Sequence, residues 1–572
     1  MKYLNILLFI VGVLLTVLSC SKEKVEPEIP PPPPPPVVEV DSLILDPVFE
    51  IKGHSDVKNR IGGGDYTCDT LFLLQNIPDG EWMYTLKLGD SAQSGWLTVS
   101  GQHVKIANQQ RIGIWLNQME NDSITFDLSL YCEAYPMKPH QQSFTFVNEL
   151  YKIRTWQDLQ AMAYDKMGQY ALQNDIDFPE RATQGFPEQG FVPIGTIGPD
   201  AAYLLNAFKG SLLGYGYTIR NFCIERADLN YVGLFGVLSD ATVKDLTLDI
   251  AAQGLVGGNY VGAIAGYIAQ KSIVENCKVV GHVTGINQIG GVAGYMERNS
   301  RVKLCRTTGN VKGQVNIGGI VGKTEQGSDV STNFIEGEVS GIRYCGGIVG
   351  HNNSMIYNSQ AGGELKTIQV KGGEFSGGIA GFNNGEILGC RVINGSIDGD
   401  KDVGGIVGFA DTKSQCKESC AKVAVTGKTK VGGLLGSNFG RLNDSYAMGS
   451  VKGVSYVGGI VGDFHNEASN AYVSISVIGQ DRNSCGAFVG SNTGTLVGCY
   501  FDKGQTALAK SVGMGSDFGV EAKLQDDFIR FNGVEIPRQI FVGWDFTQVW
   551  ENEVPLANNR QFPGLKREFN FE

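Results

Sequence analysis

Few residues in this 572-residue chain have the types and spacing that chemistry requires. Six histidines are present, at positions 54, 103, 140, 282, 351 and 465, and no two form an H-E-x-x-H zinc-hydrolase pair. No G-x-S-x-G nucleophile elbow and no P-loop appears. The chain has 12 cysteines and no C-x2-C pair; Cys416 and Cys420 are four apart with no matching pair nearby, so zinc coordination is not expected. Asp398, Asp400 and Asp402 alternate as calcium ligands do. However, Val403 and Phe409 stand at the sixth and twelfth loop positions, where an EF-hand needs glycine and glutamate. Catalytic residues: none; metal: none; cofactors: none. Cleavage of glycans would need acids and bases at one register of neighbouring structural units, and no such recurrence is found.

What recurs instead is glycine. Fifty of the 77 glycines lie between positions 251 and 500. From Val232 a pattern returns ten times: apolar, Gly, small or apolar, an aliphatic pair, Gly. Its first glycines are Gly233, Gly262, Gly290, Gly318, Gly346, Gly377, Gly404, Gly432, Gly458 and Gly486. The spacing stays near 28 and widens to 31 between Gly346 and Gly377, the signature of a solenoid. Between glycine motifs the residues alternate with period two, as in Cys277, Val279, Gly281, Val283 and Gly285, which is strand periodicity. Two strands and two glycine-bearing turns per repeat predict one coil of a right-handed parallel β-helix. One position per coil holds Cys277, Cys305, Asn333, Ser359, Cys390, Ser419, Ser445, Ala471 and Cys499. All are small, and the phase places them in one inward column at ~4.8 Å steps. On this reading most thiols are small core residues.

The quartet Gly233-Leu234-Phe235-Gly236 and its nine successors resemble the GLUG repeat family. The flanks resemble that family's setting too: Asn174-Asp175-Ile176-Asp177 and Val192-Pro193-Ile194-Gly195 upstream, Trp544-Asp545-Phe546 and Pro563-Gly564-Leu565 downstream. The resemblance covers about residues 150 to 567. It implies a bacterial surface protein of adhesin type whose repeats carry no general enzymatic role. The zinc peptidase that sometimes accompanies such repeats is missing.

The elements around the repeat divide the chain. Lys2, an apolar stretch from Leu4 to Leu18 and Ser19-Cys20 form a secretory leader, residues 1–19. Leu15 to Cys20 resembles a lipobox, which implies cleavage before Cys20 and lipidation at it. Residues 20–40 then form a spacer, with an unbroken proline run from Pro30 to Pro36 that favours stiff polyproline II. Residues 41–148 hold at least six alternating runs, including Thr70 to Leu74, Met83 to Leu88 and Ile124 to Tyr131, and read as a β-sandwich. The piece Trp96-Leu97-Thr98-Val99-Ser100 resembles bacterial Ig-like domains. Cys68 and Cys132 there are open to two readings, a disulfide or two buried thiols. Residues 149–230 form an N-terminal cap and first coils, with a helix from Thr155 to about Lys166; 231–503 the repeat β-helix; and 504–572 a C-terminal cap, with a second helix over Val520 to Ile529.

The expected class is therefore all-β. The net charge of −12, from 47 basic and 59 acidic residues, disfavours nucleic acid as a partner. The expected role is a non-enzymatic binding or adhesion module on the outer membrane, lipid-anchored through Cys20 and facing outward, with an extracellular glycan or protein as ligand. A polysaccharide-degrading enzyme and a surface-layer component are the rival expectations.

Overall fold

A computed structural model describes residues 150–180, 186–195, 206–524, 541, 543–556 and 560–566, together with the strands of the N-terminal region. Residues 551–556, 560–562 and the N-terminal strands are described by their backbone only. The chain divides into two compact units, Met1–Tyr151 and Lys152–Glu572. Cys20, the proline run and Cys132 lie outside the described residues.

Among the described residues the first unit contains two four-stranded sheets. All their pairings are antiparallel. In one, the order is Leu8–Gly12, Gln109–Leu116, Tyr66–Gln75, Val48–Ile51; in the other, Ser91–Val99, Gly80–Leu88, Ser123–Tyr131, His140–Val147. The alternating runs of the sequence fall inside these strands.

The second unit is a parallel β-solenoid of about ten turns, and its coils have more walls than the sequence implied. One coil reads Asn287–Gly290, Ala293–Met296, Arg301–Lys303 and Arg306–Lys312. We call these walls one to four. The prediction of two strands per coil is thus corrected to four segments. The extra breaks are short corners without a Gly-Pro signal. Wall one stacks into a nine-stranded parallel sheet and wall two into an eleven-stranded one. Walls three and four merge in upper coils, where Arg441–Gly453 and Glu467–Gly479 run through both.

Side chains of alternate residues fill the interior, which is why period two was so clear. Val279, Val283, Ile335, Val339, Ala447 and Val451 are all fully buried. Each buried Val or Ile contributes on the order of 1.5–3 kcal/mol by leaving water. The repeat glycines stack in register along wall one from Gly262 to Gly486. Their reason is space. A Cβ on Gly318 would fall onto the carbonyl oxygen of Val321, with Gly350 N only 2.8 Å away.

The termini of the solenoid differ from expectation. Thr155 does cap a helix through a reciprocal box with Asp158 (3.0 and 3.2 Å), but the helix is only Trp156–Ala161. Asp165 then turns the chain, accepting from Met167 N at 3.2 Å, into the strand Gln169–Leu172. Trp156 packs on Phe178 and Phe186. At the other end, Val520–Lys523 is a strand, not a helix; it pairs in parallel with Cys499–Asp502. The preceding coil offers an open edge, and pairing with it outweighs the helical propensity of Glu521 and Ala522. Residues 525–529 lie outside the described residues. Trp544 and Trp550 also do not lie across the solenoid end. They lean on its side, against Tyr446, Tyr472 and Tyr500 of three successive coils. Tyr472 Oη donates to Pro563 O at 2.7 Å, and Trp544 Nε1 to Gly498 O at 3.3 Å.

Candidate functional site

The column that sequence reasoning singled out lies inside the solenoid. All nine members of the column from Cys277 to Cys499 are buried. Each follows a corner residue in the left-handed region: Asn276, Leu304, Thr332, Asn358, Gly389, Glu418, Asp444, Asn470 and Gly498, with φ between 45° and 67°. Such a corner leaves the next backbone N–H without a strand partner, and the column supplies one from the coil that follows. Cys305 N donates to Asn333 Oδ1 (2.9 Å), Asn333 N to Ser359 Oγ (3.2 Å), Cys390 N to Ser419 Oγ (3.2 Å) and Ser419 N to Ser445 Oγ (3.2 Å). Buried amides need such acceptors, so a small polar residue fits the position.

The nine described cysteines that carry side chains are buried thiols outside any disulfide. Burial pushes Cys345, Cys390, Cys416 and Cys499 up to about 12, which makes them poor nucleophiles. The three aspartates do not converge. Asp398 accepts from Ser396 at 2.9 Å, Asp400 pairs with Lys428 at 2.6 Å, and Asp402 is buried against Ser437. Asp175 accepts the backbone N–H of Thr218 at 2.8 Å and so ties two coils together. Among the described residues no three His, Cys, Asp or Glu side chains gather as a metal site would.

The feature that sequence reasoning missed is a double row of aromatic rings on the outside of walls one and two. One row lies five residues after each repeat glycine: Tyr267, Tyr295, Lys323, His351, Phe382 and Phe409 are in register on successive coils. The other lies two residues before it, at Tyr231, Tyr260, Gln288, Asn316, Tyr344 and Phe375, and continues through the non-aromatic Asp402 and Lys430 to Tyr456. Each of those residues is left-handed, with φ between 52° and 60° from Tyr231 to Tyr456. The rows bracket the crowded glycine corner, so their rings meet across it. Tyr231 stacks on Tyr260 at 4.8 Å, Tyr267 on Tyr295 at 4.8 Å, Tyr344 on Phe375 at 5.1 Å and Phe382 on Phe409 at 5.6 Å. Cross-row contacts join them, such as Tyr260–Tyr267 at 5.9 Å and Tyr344–His351 at 5.3 Å. Phe439 and His465 extend the upper patch.

All these rings are half-buried. Polar groups rim them. Tyr267 Oη donates to Glu297 at 3.0 Å and Tyr295 Oη to Glu325 at 2.8 Å, while the Arg343 guanidinium lies 4.7 Å above the ring of Tyr344. Burial, with the Lys323 charge, lowers His351 to about 4, so it is a neutral ring at physiological pH. The signal was present as aromatic residues at fixed offsets from the glycines, but polar interruptions at Gln288, Asn316 and Lys323 hid the two rows.

No family model matches the chain. It is 36% identical over 140 residues to Halomucin of Haloquadratum walsbyi, a stretch covering 24% of this chain and 1% of that protein. It is 38% identical over 102 residues to a putative Gly-rich membrane protein of Evansella cellulosilytica, covering 16% of this chain and 11% of that one. The chain thus spans only a small part of either relative. Among the described residues no helix is long and apolar enough to cross a membrane.

Proposed function

We propose that this protein is a surface-anchored binding module that holds extracellular glycans against the double aromatic row of walls one and two. One observation carries the reading: half-buried rings stacked in register on neighbouring coils, in a lower patch from Tyr231 to Tyr295 and an upper one from Tyr344 to Phe409. A pyranose ring presents an apolar C–H face, and laying it on an aromatic face removes apolar surface from water on both sides. Repetition along the solenoid turns several weak contacts into one avid one.

The address belongs to the same proposal. Lipidation at Cys20, a proline spacer and an Ig-like first unit would hold a right-handed β-helix of the GLUG repeat type away from the outer membrane. The names of the two relatives, a mucin and a membrane protein, agree with a surface location. Processing before Cys20 would remove the strand Leu8–Gly12 and leave Gln109–Leu116 as a sheet edge.

The test is a polysaccharide binding screen on the whole chain beside the double variant Tyr344→Ala, Phe382→Ala. The parent should be retained by at least one glycan and the variant released, with unchanged circular dichroism. Retention of the folded variant to the same degree, or no binding by the parent, would end the proposal.

A further inference from the structure

The widened coil carries a second feature, on wall four. There the strand is split into Gln360–Ala361 and Ile368–Lys371, whereas the coils below and above run unbroken as Phe334–Ser340 and Arg391–Asp398. The extra residues loop outward, and Leu365 is almost wholly exposed. Beneath the loop is a cavity of about 260 Å³. That is just under the ~300–1,000 Å³ of drug-sized sites and suits a single small ring.

Its lining is charged, with Phe334, Glu336, Gln360 and Arg391 buried and Glu364, Leu365 and Lys366 exposed at its mouth. Arg306, Gln360 and Arg391 occupy one register position on alternate and successive coils, with Phe334 between Arg306 and Gln360. Arg306 lies 4.4 Å over the Phe334 ring. The Glu336 carboxylate is 4% exposed; it accepts from Lys366 Nζ at 2.7 Å and Thr308 Oγ1 at 2.7 Å, with Arg306 at 3.5 Å. Burial works to raise this carboxyl, but the Lys366 and Thr308 hydrogen bonds and the Arg306 and Lys366 charges outweigh it and hold it below the ordinary value. Glu336 is thus held as an anion, which unfits it as a general acid.

Gln360 is the informative residue. Its Nε2 donates to Gly362 O at 2.8 Å, which fixes the amide's orientation. Gln360 lines the cavity, and its buried Oε1 has no hydrogen-bond partner among the described residues. A buried acceptor in that state calls for a donor.

We infer that this cavity binds a small hydroxylated carboxylate of the uronic-acid class. Arg306, Lys366 and Arg391 set three positive charges against the carboxylates of Glu336 and Glu364, an excess of one that favours an anion. Gln360 Oε1 supplies an acceptor, which a hydroxyl satisfies and an acceptor-only ion such as sulfate does not. Phe334 and Ile393 supply the apolar wall that a sugar ring needs. The site is independent of the aromatic rows, which lie on other walls.

The experiment is calorimetric titration of the whole chain with D-glucuronate and D-galacturonate, beside glucose, sulfate and tri-galacturonate. A uronate should bind with Kd on the order of millimolar and at least tenfold more tightly than glucose or sulfate. Lys366→Gln, whose amide can still donate to Glu336, and Gln360→Leu should each weaken it about fivefold or more, with circular dichroism unchanged. Tri-galacturonate binding as well as the monosaccharide assigns the site to acidic glycan ends; binding of the monosaccharide alone assigns it to the free acid. Equal affinity for glucose or sulfate, no binding of either uronate, or two variants that both bind as the parent does would overturn the inference. Tyr344→Ala, Phe382→Ala should leave this titration unchanged, so the two proposals fail separately.

Discussion

Replacing Asn333 by alanine tests whether the column of corner side chains holds the coils together. The side chain makes two buried bonds: its Oδ1 accepts from Cys305 N at 2.9 Å and its Nδ2 donates to Val302 O at 2.9 Å. Asn333→Ala strands both partners in a dry interior. A buried group left unsatisfied costs about 1–3 kcal/mol, so the two together cost about 2–6 kcal/mol. Asn333→Ser should cost less, about 1–2 kcal/mol, because a serine at this position can accept from the preceding coil, as Ser359 Oγ does from Asn333 N at 3.2 Å. A solenoid need not unfold in one step, so urea melting should be paired with amide hydrogen exchange at the coil itself. A local loss of ~3 kcal/mol corresponds to roughly a hundredfold faster exchange of the Cys305 amide. If Asn333→Ala lies within ~0.5 kcal/mol of the parent, or if the serine variant is no better than the alanine one, the ladder does not support the fold as argued.

Three further outcomes are expected. Gly318→Ala should abolish soluble expression, since its Cβ meets the backbone at Val321 and Gly350, whereas Gly216→Ala, with nothing within 4 Å and φ 81°, should cost only ~1–2 kcal/mol by melting. His351 titrates near 4 when folded and 6.5 otherwise, so between those values the unfolded chain binds more protons. Stability should therefore fall as pH drops from about 6.5 to about 4, by roughly 2–3 kcal/mol, and His351→Phe should flatten that part of a pH series of urea melts. Buried thiols such as Cys277, Cys390 and Cys499 should resist a thiol reagent in native buffer and react once the chain is denatured; fast native labelling would contradict their inward placement.

The coil period, the parallel solenoid and the inward phase were legible because a stacked coil repeats its physics at every turn. Glycine stands wherever a Cβ would strike backbone, and Val or Ile alternates wherever the interior is dry. The four-segment coil was not legible, because its corners are made by ordinary residues such as Leu304 and Thr332 in left-handed backbone, which no Gly-Pro signal marks. Val520–Lys523 was misread for another reason. Isolated propensity favours a helix there, and the open edge of Cys499–Asp502 overrides it. The aromatic rows needed the register between coils before Tyr267 and Tyr295 could be recognised as neighbours. The cavity needed even more: a spacing of 31 says that a loop exists, but not that Gln360, Glu336 and Arg391 share the space beneath it.

The corner ladder points one way along the solenoid axis. At Cys305, Asn333, Cys390 and Ser419, the amide of one coil is completed by a side chain from the coil synthesised next. A chain delivered N-terminus first therefore presents, at each of these four corners, an amide that is unmet until the next coil arrives. Assembly along this ladder is vectorial: each turn is a template for its successor and is locked by it. The same polarity means that losing coils from the C-terminal side exposes one fresh unmet amide for each truncation, whereas losing them from the N-terminal side leaves the ladder above complete.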